Sequence, residues 1–165
     1  MDKEILHLAA KVSDILNESN QTIGIAESSS GGLISAHLLA IPGASRYFLG
    51  GSVIYTRVAQ RSLLRVNDDQ MEGLRSSTES YASLNAKTIR ESLGTTWGLS
   101  ETGATGPTGN RYGDAAGHSC IGVSGPVSRA TTLETGIEQR EHNMISFTKR
   151  ALVFFIECLE ESSQN

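Results

Sequence analysis

The residues from Ile23 to Ile34 read Ile-Gly-Ile-Ala-Glu-Ser-Ser-Ser-Gly-Gly-Leu-Ile, and few backbone courses suit them. The short isoleucine-rich run has the look of a buried strand. Gly31-Gly32 marks a tight turn, and Leu33, Ile34, His37, Leu38 and Ile41 then recur at helical spacing. Strand, glycine turn and helix in that order aim the unpaired first amides of the helix at whatever lies on the turn. Three chemistries fit the serines there. They can cap the helix, help bind an anion, or supply a nucleophile beside a ready oxyanion site.

The rest of the chain alternates helical and strand-like patterns. Residues 3–17 carry Ile5, Leu6, Ala9, Val12, Ile15 and Leu16 on one helical face. After the strand at 22–26 and the helix at 31–39, Pro42–Ser45 turns into a second strand, Tyr47–Tyr55. Its Gly50-Gly51 pair predicts a bulge or a close approach. Thr56 caps a short helix, Arg57–Leu64, with Val58, Leu63 and Leu64 expected to face inward; Asn67-Asp68-Asp69 caps another short turn. Thr78 opens a helix reaching Leu93, with Gly94 as its C-terminal cap. Trp97–Thr102 reads as a third strand running into a glycine-rich loop, Gly103–Asp114, long enough to suggest a functional role. His118–Val123 and Ala130–Thr135 alternate as a hairpin about Ser124-Gly125-Pro126. A long helix, Glu138–Leu159, and a polar tail, Glu160–Asn165, finish the chain.

This order predicts one α/β domain over residues 1–165: a three-layer α/β/α sandwich with a mixed, mainly parallel sheet and a late β-hairpin. Ligands in such sheets sit at the carboxyl ends of the strands, which gathers Glu27-Ser28, Tyr55-Thr56 and Thr102-Gly103 on one rim. Lys+Arg 14 against Asp+Glu 18 argues against nucleic acid as a partner. No apolar run approaches the roughly 20 residues of a membrane span, and the charged Met1–Glu4 start has no signal-peptide pattern. Cys120 and Cys158 are expected as buried free thiols in a reducing cytoplasm rather than as a disulfide or metal ligands. A homo-oligomer is expected, its subunit number left open.

Ala26-Glu27-Ser28-x-Ser30-Gly31-Gly32 resembles the AES-x-[ST]-GG motif of the CinA C-terminal domain family, the nicotinamide-nucleotide amidohydrolases. Four further stretches continue the resemblance in order. They are Ile41–Gly51 (PGSSxYFxGG), Tyr55-Thr56-x-x-Ala59 (YSNxAK), Thr102–Pro107 (TGIAGP), and Gly117 with Ile121 (VGTVxIA). Arg140-Glu141 falls where the family carries a GDR-type turn. The resemblance implies hydrolysis of the carboxamide of nicotinamide mononucleotide, giving the acid mononucleotide and ammonia, by a serine nucleophile with a lysine base and no metal or cofactor. Carried over by position, Ser28 is the nucleophile, with Tyr55 and position 60 beside it. Glu27, Ser30, Gly31, Gly32, Arg57, Thr102, Gly103, Thr105 and Arg140 are then the candidate substrate-binding residues for a small-molecule nucleotide.

The departures are chemical. Gln60 stands where the family has its lysine, and a carboxamide takes no proton from a serine. Arg57 replaces the asparagine of that segment, Asp114-Ala115-Ala116-Gly117 replaces KPVG, and Ser29 stands where cysteine is usual. Tyr55 and His118 are the candidate substitute bases, each with a structural reading as its rival. Three functions follow: an amidohydrolase with a rearranged base, a non-catalytic nucleotide or anion binder, or different chemistry on the same scaffold.

Overall fold

The computed structural model describes residues 1–164. Helix α1 (Lys3–Glu18) starts where the Asp2 carboxylate accepts from the Glu4 and Ile5 amides at 2.9 and 3.0 Å. Strand β1 (Ile23–Glu27) is buried throughout, and α2 (Leu33–Leu39) leads from it towards β2 (Phe48–Val53). A short helix, α3 (Arg57–Ala59), widens into a π turn over Gln60–Leu64. Helix α4 (Glu79–Leu93) is capped by Thr78 and closed by Gly94 at φ +64°. β3 (Trp97–Ala104), the β4–β5 hairpin (His118–Ser124 and Arg129–Glu134) and α5 (Arg140–Ser163) follow.

The sheet order is β2-β1-β3-β4-β5. β1 runs parallel to both β2 and β3, while β4 is antiparallel to β3 and β5 to β4, so only β4 opposes the common direction. The expected mixed sheet with a late hairpin is therefore present. Opposite Ile23 and Gly24 the register jumps from Phe48 to Gly50, which places the bulge expected at the glycine pair. From β1 the chain steps outward through α2 to β2, then returns through α4 to β3 on the other side of β1. With right-handed crossovers, that reversal puts α2 and α4 on opposite faces and opens a crevice at the carboxyl ends of β1 and β3. Helices α1, α2 and α5 cover one face, and α4 the other.

The larger core lies under α1 and α5, where Ile23, Ile25, Trp97 and Leu99 meet Phe147 and Phe155. Trp97 and Phe155 pack edge to face, centroids 5.6 Å apart. Alternation along a strand carries that face one step further, to Glu27 on β1 and Glu101 on β3. Two carboxylates thus end two core-facing rows.

Two expectations need correction. Leu64 is buried, but Val58 and Leu63 are 74% and 59% exposed, because the π turn breaks the period that grouped them on one face. The polar tail is helical as far as Ser163; its last residue, Asn165, lies outside the described residues.

Candidate functional site

At the end of β1, Glu27 is fully buried. It accepts from the amides of Ile34 and Ser35, both at 3.0 Å, and from the hydroxyls of Ser30 and Ser35, both at 2.7 Å. This carboxylate caps α2 from below, where negative charge meets free helix amides. Glu27 and Ser30, expected among the substrate-binding residues, are therefore inward-facing supports of the turn. Gly31 and Gly32 adopt φ +68° and +98°, which lets the turn close, and neither lines the cavities described below.

Glu101 stands next to Glu27 in register and is also fully buried. Its Oε2 accepts from the amides of Ser30 at 2.8 Å and Ser28 at 3.2 Å. Its Oε1 accepts from the Ser119 hydroxyl at 3.3 Å and, in a short bond, from the Ser29 hydroxyl. Burial drives the Glu101 carboxyl above its ordinary value; hydrogen bonds from Ser29 and Ser30 oppose that shift and the charge of Glu27 adds to it. The expectation that the turn's amides face a developing oxyanion is narrowed to two of them. Those of Ser28 and Ser30 serve Glu101, and those of Gly31 and Leu33 serve the carbonyls of Ser28 and Ser30. Among the described residues, no protein acceptor takes the amides of Ser29 and Gly32. Glu101 escaped the motif-based reading, though a signal was available: Trp97, Leu99 and Glu101 share one face of a strand, and an acid on a core face needs a reason.

Two adjoining cavities open at the crevice. One, of about 370 Å³, is lined by Ser28, Tyr55, Arg57, Ser77, Thr102 and Gly103, with Asn110, Arg111 and Tyr112 on its loop side. The other, of about 220 Å³, is lined by Ser29, Tyr55, Gly103, Thr105, Gly106 and Arg140. Ser28, Tyr55, Thr102 and Gly103 thus meet on one rim, as the strand order implied. No described side chain hydrogen-bonds the Ser28 hydroxyl. Arg140 donates to the Gly106 carbonyl at 2.8 Å and to the Tyr55 hydroxyl at 2.9 Å, so a cation does stand at Tyr55. Thr102 accepts from the Ser77 amide at 3.3 Å.

Gln60 is not in this gathering. It is fully buried, donates to Asn85 Oδ1 at 2.6 Å and accepts from Arg57 at 2.5 Å. Arg57 also reaches the Asn67 carbonyl at 3.2 Å and Asp68 at 3.0 Å. Arg57 therefore clamps the segment 57–68 while it also lines the larger cavity. The position at which the resemblance placed the family lysine is thus occupied by a structural glutamine.

His118 is structural as well. Its Nδ1 meets the Glu134 carboxylate in a short contact, and its Nε2 meets the Ser77 carbonyl at 2.8 Å. An acceptor at each nitrogen favours the doubly protonated form of the ring. Burial lowers its pKa, but the bonds to Glu134 and Ser77 outweigh that and hold it above the ordinary histidine value. The ring props Ser77, which sits at φ +60° on the cavity wall. Asp114, where the resemblance led to a lysine, instead pairs with Arg75 at 2.7 Å, and that bond holds its pKa low. Arg75 in turn lies over the Tyr112 ring at 5.1 Å.

No group of His, Cys, Asp and Glu side chains suited to a metal ion occurs among the described residues. Nor is any described helix long and apolar enough to cross a membrane.

The family model for the CinA C-terminal domain matches residues 5–159. A CinA-like protein of Nostoc sp. is 39% identical over 119 residues, covering 72% of this chain and 28% of that protein. A CinA-like protein of Salinibacter ruber is 34% identical over 145 residues, 88% of this chain and 35% of the relative. The chain thus spans about a third of the length of the curated relatives it matches. Among solved structures, a CinA superfamily protein from Escherichia coli superposes with a TM-score of 0.86 at 22% identity, covering 94% of this chain and 91% of that one. The competence/damage inducible protein CihA from Agrobacterium tumefaciens gives 0.88 at 22%, covering 96% and 97%. At that identity these two speak for the fold.

Proposed function

The chain belongs to the CinA C-terminal domain family, and on that footing we propose that it hydrolyses the carboxamide of a pyridine mononucleotide, nicotinamide mononucleotide first among them, at the serine turn. The observation that carries the reading is the pair of cavities meeting at that turn. Ser28 and Arg111 line one and Ser29 and Arg140 the other, a serine and a cation that could meet a phosphate in each. The second cavity leaves Arg140 three N–H groups beyond the two that bond Gly106 and Tyr55. Thr102 and Gly103 line the cavity of Ser28, and Gly103 and Thr105 that of Ser29 and Arg140, and a ribose would lie against them. No metal or organic cofactor has a part in this chemistry. Pyridine nucleotides are cytoplasmic metabolites, which agrees with the two unpaired, buried thiols. Incubating the protein with nicotinamide mononucleotide and measuring ammonia tests the reading.

A second reading is favoured by one observation: nothing described touches the Ser28 hydroxyl as a base, and Gln60 is turned away. On that reading the cavity binds a pyridine nucleotide without turnover. Calorimetric binding that persists in Ser28→Ala, with no ammonia from the parent protein, would support it.

A further inference from the structure

The smaller cavity has Ser29 in its wall, and the hydroxyl of that serine is bonded to Glu101. An activated nucleophile is recognised by this geometry: a hydroxyl against a base, and the base held in turn by other groups. Glu101 meets the second requirement through the amides of Ser28 and Ser30 and the hydroxyl of Ser119. Ser28 meets neither, since only its amide touches the carboxylate. No lysine or arginine contacts Glu101 among the described residues, so the carboxylate is not neutralised by an ion pair.

We propose that the nucleophile of this site is Ser29 and that Glu101 is its general base. The proposal rests on the amidohydrolase reading for its substrate, and it explains how a chain with glutamine at position 60 retains a base. Ser29 Oγ attacks the carboxamide carbon while its proton passes to Glu101 Oε1. Collapse of the tetrahedral adduct breaks the C–N bond, and Glu101 returns the proton to the departing nitrogen, releasing ammonia and leaving an ester on Ser29. Water then attacks that ester, its proton going to Glu101. The ester C–O bond breaks, the proton returns to Ser29 Oγ, and the acid mononucleotide leaves. The amides of Ser29 and Gly32 are the turn's donors still without a protein acceptor.

The dyad has a pH signature. Glu101 serves as a base only when ionised, and burial beside Glu27 has raised its pKa. Around it β1 contributes Glu27, β4 contributes Ser119, and the turn contributes hydroxyls and amides. His37 of α2 is turned instead to the Leu33 carbonyl and the Asp2 amide. The rising limb of activity with pH therefore lies above the ordinary carboxyl range.

A serine-directed fluorophosphonate tests the dyad without depending on the substrate. The serine oxygen bonds to phosphorus, fluoride leaves, and the serine proton goes to the base. Tandem mass spectrometry of the labelled peptide locates the adduct. The expected result is an adduct on Ser29, absent from Ser29→Ala, whose rate rises with pH through one ionisation above the usual carboxyl range. Glu101→Gln, its fold checked by circular dichroism, should label about 10²–10⁴-fold more slowly. An adduct on Ser28, no adduct on Ser29, or labelling of the parent protein indifferent to pH overturns the proposal, the last of these needing no variant to fold. Ammonia release run alongside separates the two claims. Labelling at Ser29 without ammonia defeats the substrate reading and leaves the dyad; ammonia that survives Ser29→Ala defeats the dyad and leaves the substrate reading.

Discussion

Glu27 and Glu101 are register partners across the parallel pair β1–β3, both fully buried, and each accepts four hydrogen bonds from the serine turn, the start of α2 and Ser119. Buried carboxylates are tolerable only when their lone pairs are met. Here amides and hydroxyls meet them in place of cations. The arrangement holds the turn rigidly, and it leaves Glu101 with a like charge alongside.

That pair makes stability depend on pH. A carboxyl whose folded pKa is raised binds its proton more tightly in the folded state. Its stabilising effect is complete below the unfolded value near 4.3 and is lost as pH rises through the raised folded value. Thermal unfolding of Glu101→Gln should therefore exceed the parent Tm at pH 8, and the gap should shrink towards pH 4. A glutamine can keep the bonds, its oxygen taking the two amides and its amino group facing Ser29 and Ser119. A gap that is the same at both pH values would contradict this.

Restoring the family lysine should not restore the family chemistry. Gln60→Lys places an ammonium in a fully buried position against the Arg57 guanidinium, with Asn85 Oδ1 as its acceptor. Like charges brought together out of water cost stability. Urea unfolding should show a loss of about 3–5 kcal/mol, the scale of an uncompensated buried charge, and ammonia release should not increase.

His118 gives a second, opposite-charge dependence. Its raised pKa means that its contribution is full below the unfolded value near 6.5 and fades as pH rises through the folded value. The groups facing it are Glu134, Asp114, Cys120 and the Ser77 carbonyl. NMR titration of the ring should give a midpoint above 6.5. His118→Ala should loosen Ser77 and weaken mononucleotide binding at pH 6 more than at pH 9.

Much of this was legible in the sequence, because the signals were local. Thr78 and Gly94 announce helix ends through side-chain chemistry and backbone freedom, and the alternation of β4 and β5 announces a hairpin. The rim was legible for a topological reason, since Ser28 and Tyr55 follow strands, and Thr102 lies near the end of one, whose carboxyl ends must converge. What escaped depends on side-chain direction across long separations. Glu101 is tied to a turn 71–73 residues away. The roles of Arg57, Gln60 and Asn85 follow from a π turn that no periodicity announces.

The thiols offer a simple check of the packing. Burial raises both, Cys158 to about 11, and thiolates are the reactive form. A disulfide reagent at pH 7.5 should find almost no reaction in the folded protein and two thiols after denaturation. Rapid reaction of either in the native state would contradict the packing around β4 and α5.

A close approach fixes α4 on the sheet. A Cβ at Gly98 would lie 1.9 Å from the Ala86 carbonyl oxygen, a distance that only backbone movement relieves. Gly98→Ala should lower stability by about 1–3 kcal/mol or more, the scale of overpacking, as read from the urea midpoint.

Ammonia release from nicotinamide mononucleotide, followed with the purified protein at pH 8, is the most direct measurement of what the serine turn does. The expected result is ammonia and acid mononucleotide in equal amounts, with both lost in Ser29→Ala. Ammonia no higher than that of a Ser28→Ala, Ser29→Ala double variant, in a protein that still binds the mononucleotide, would contradict it.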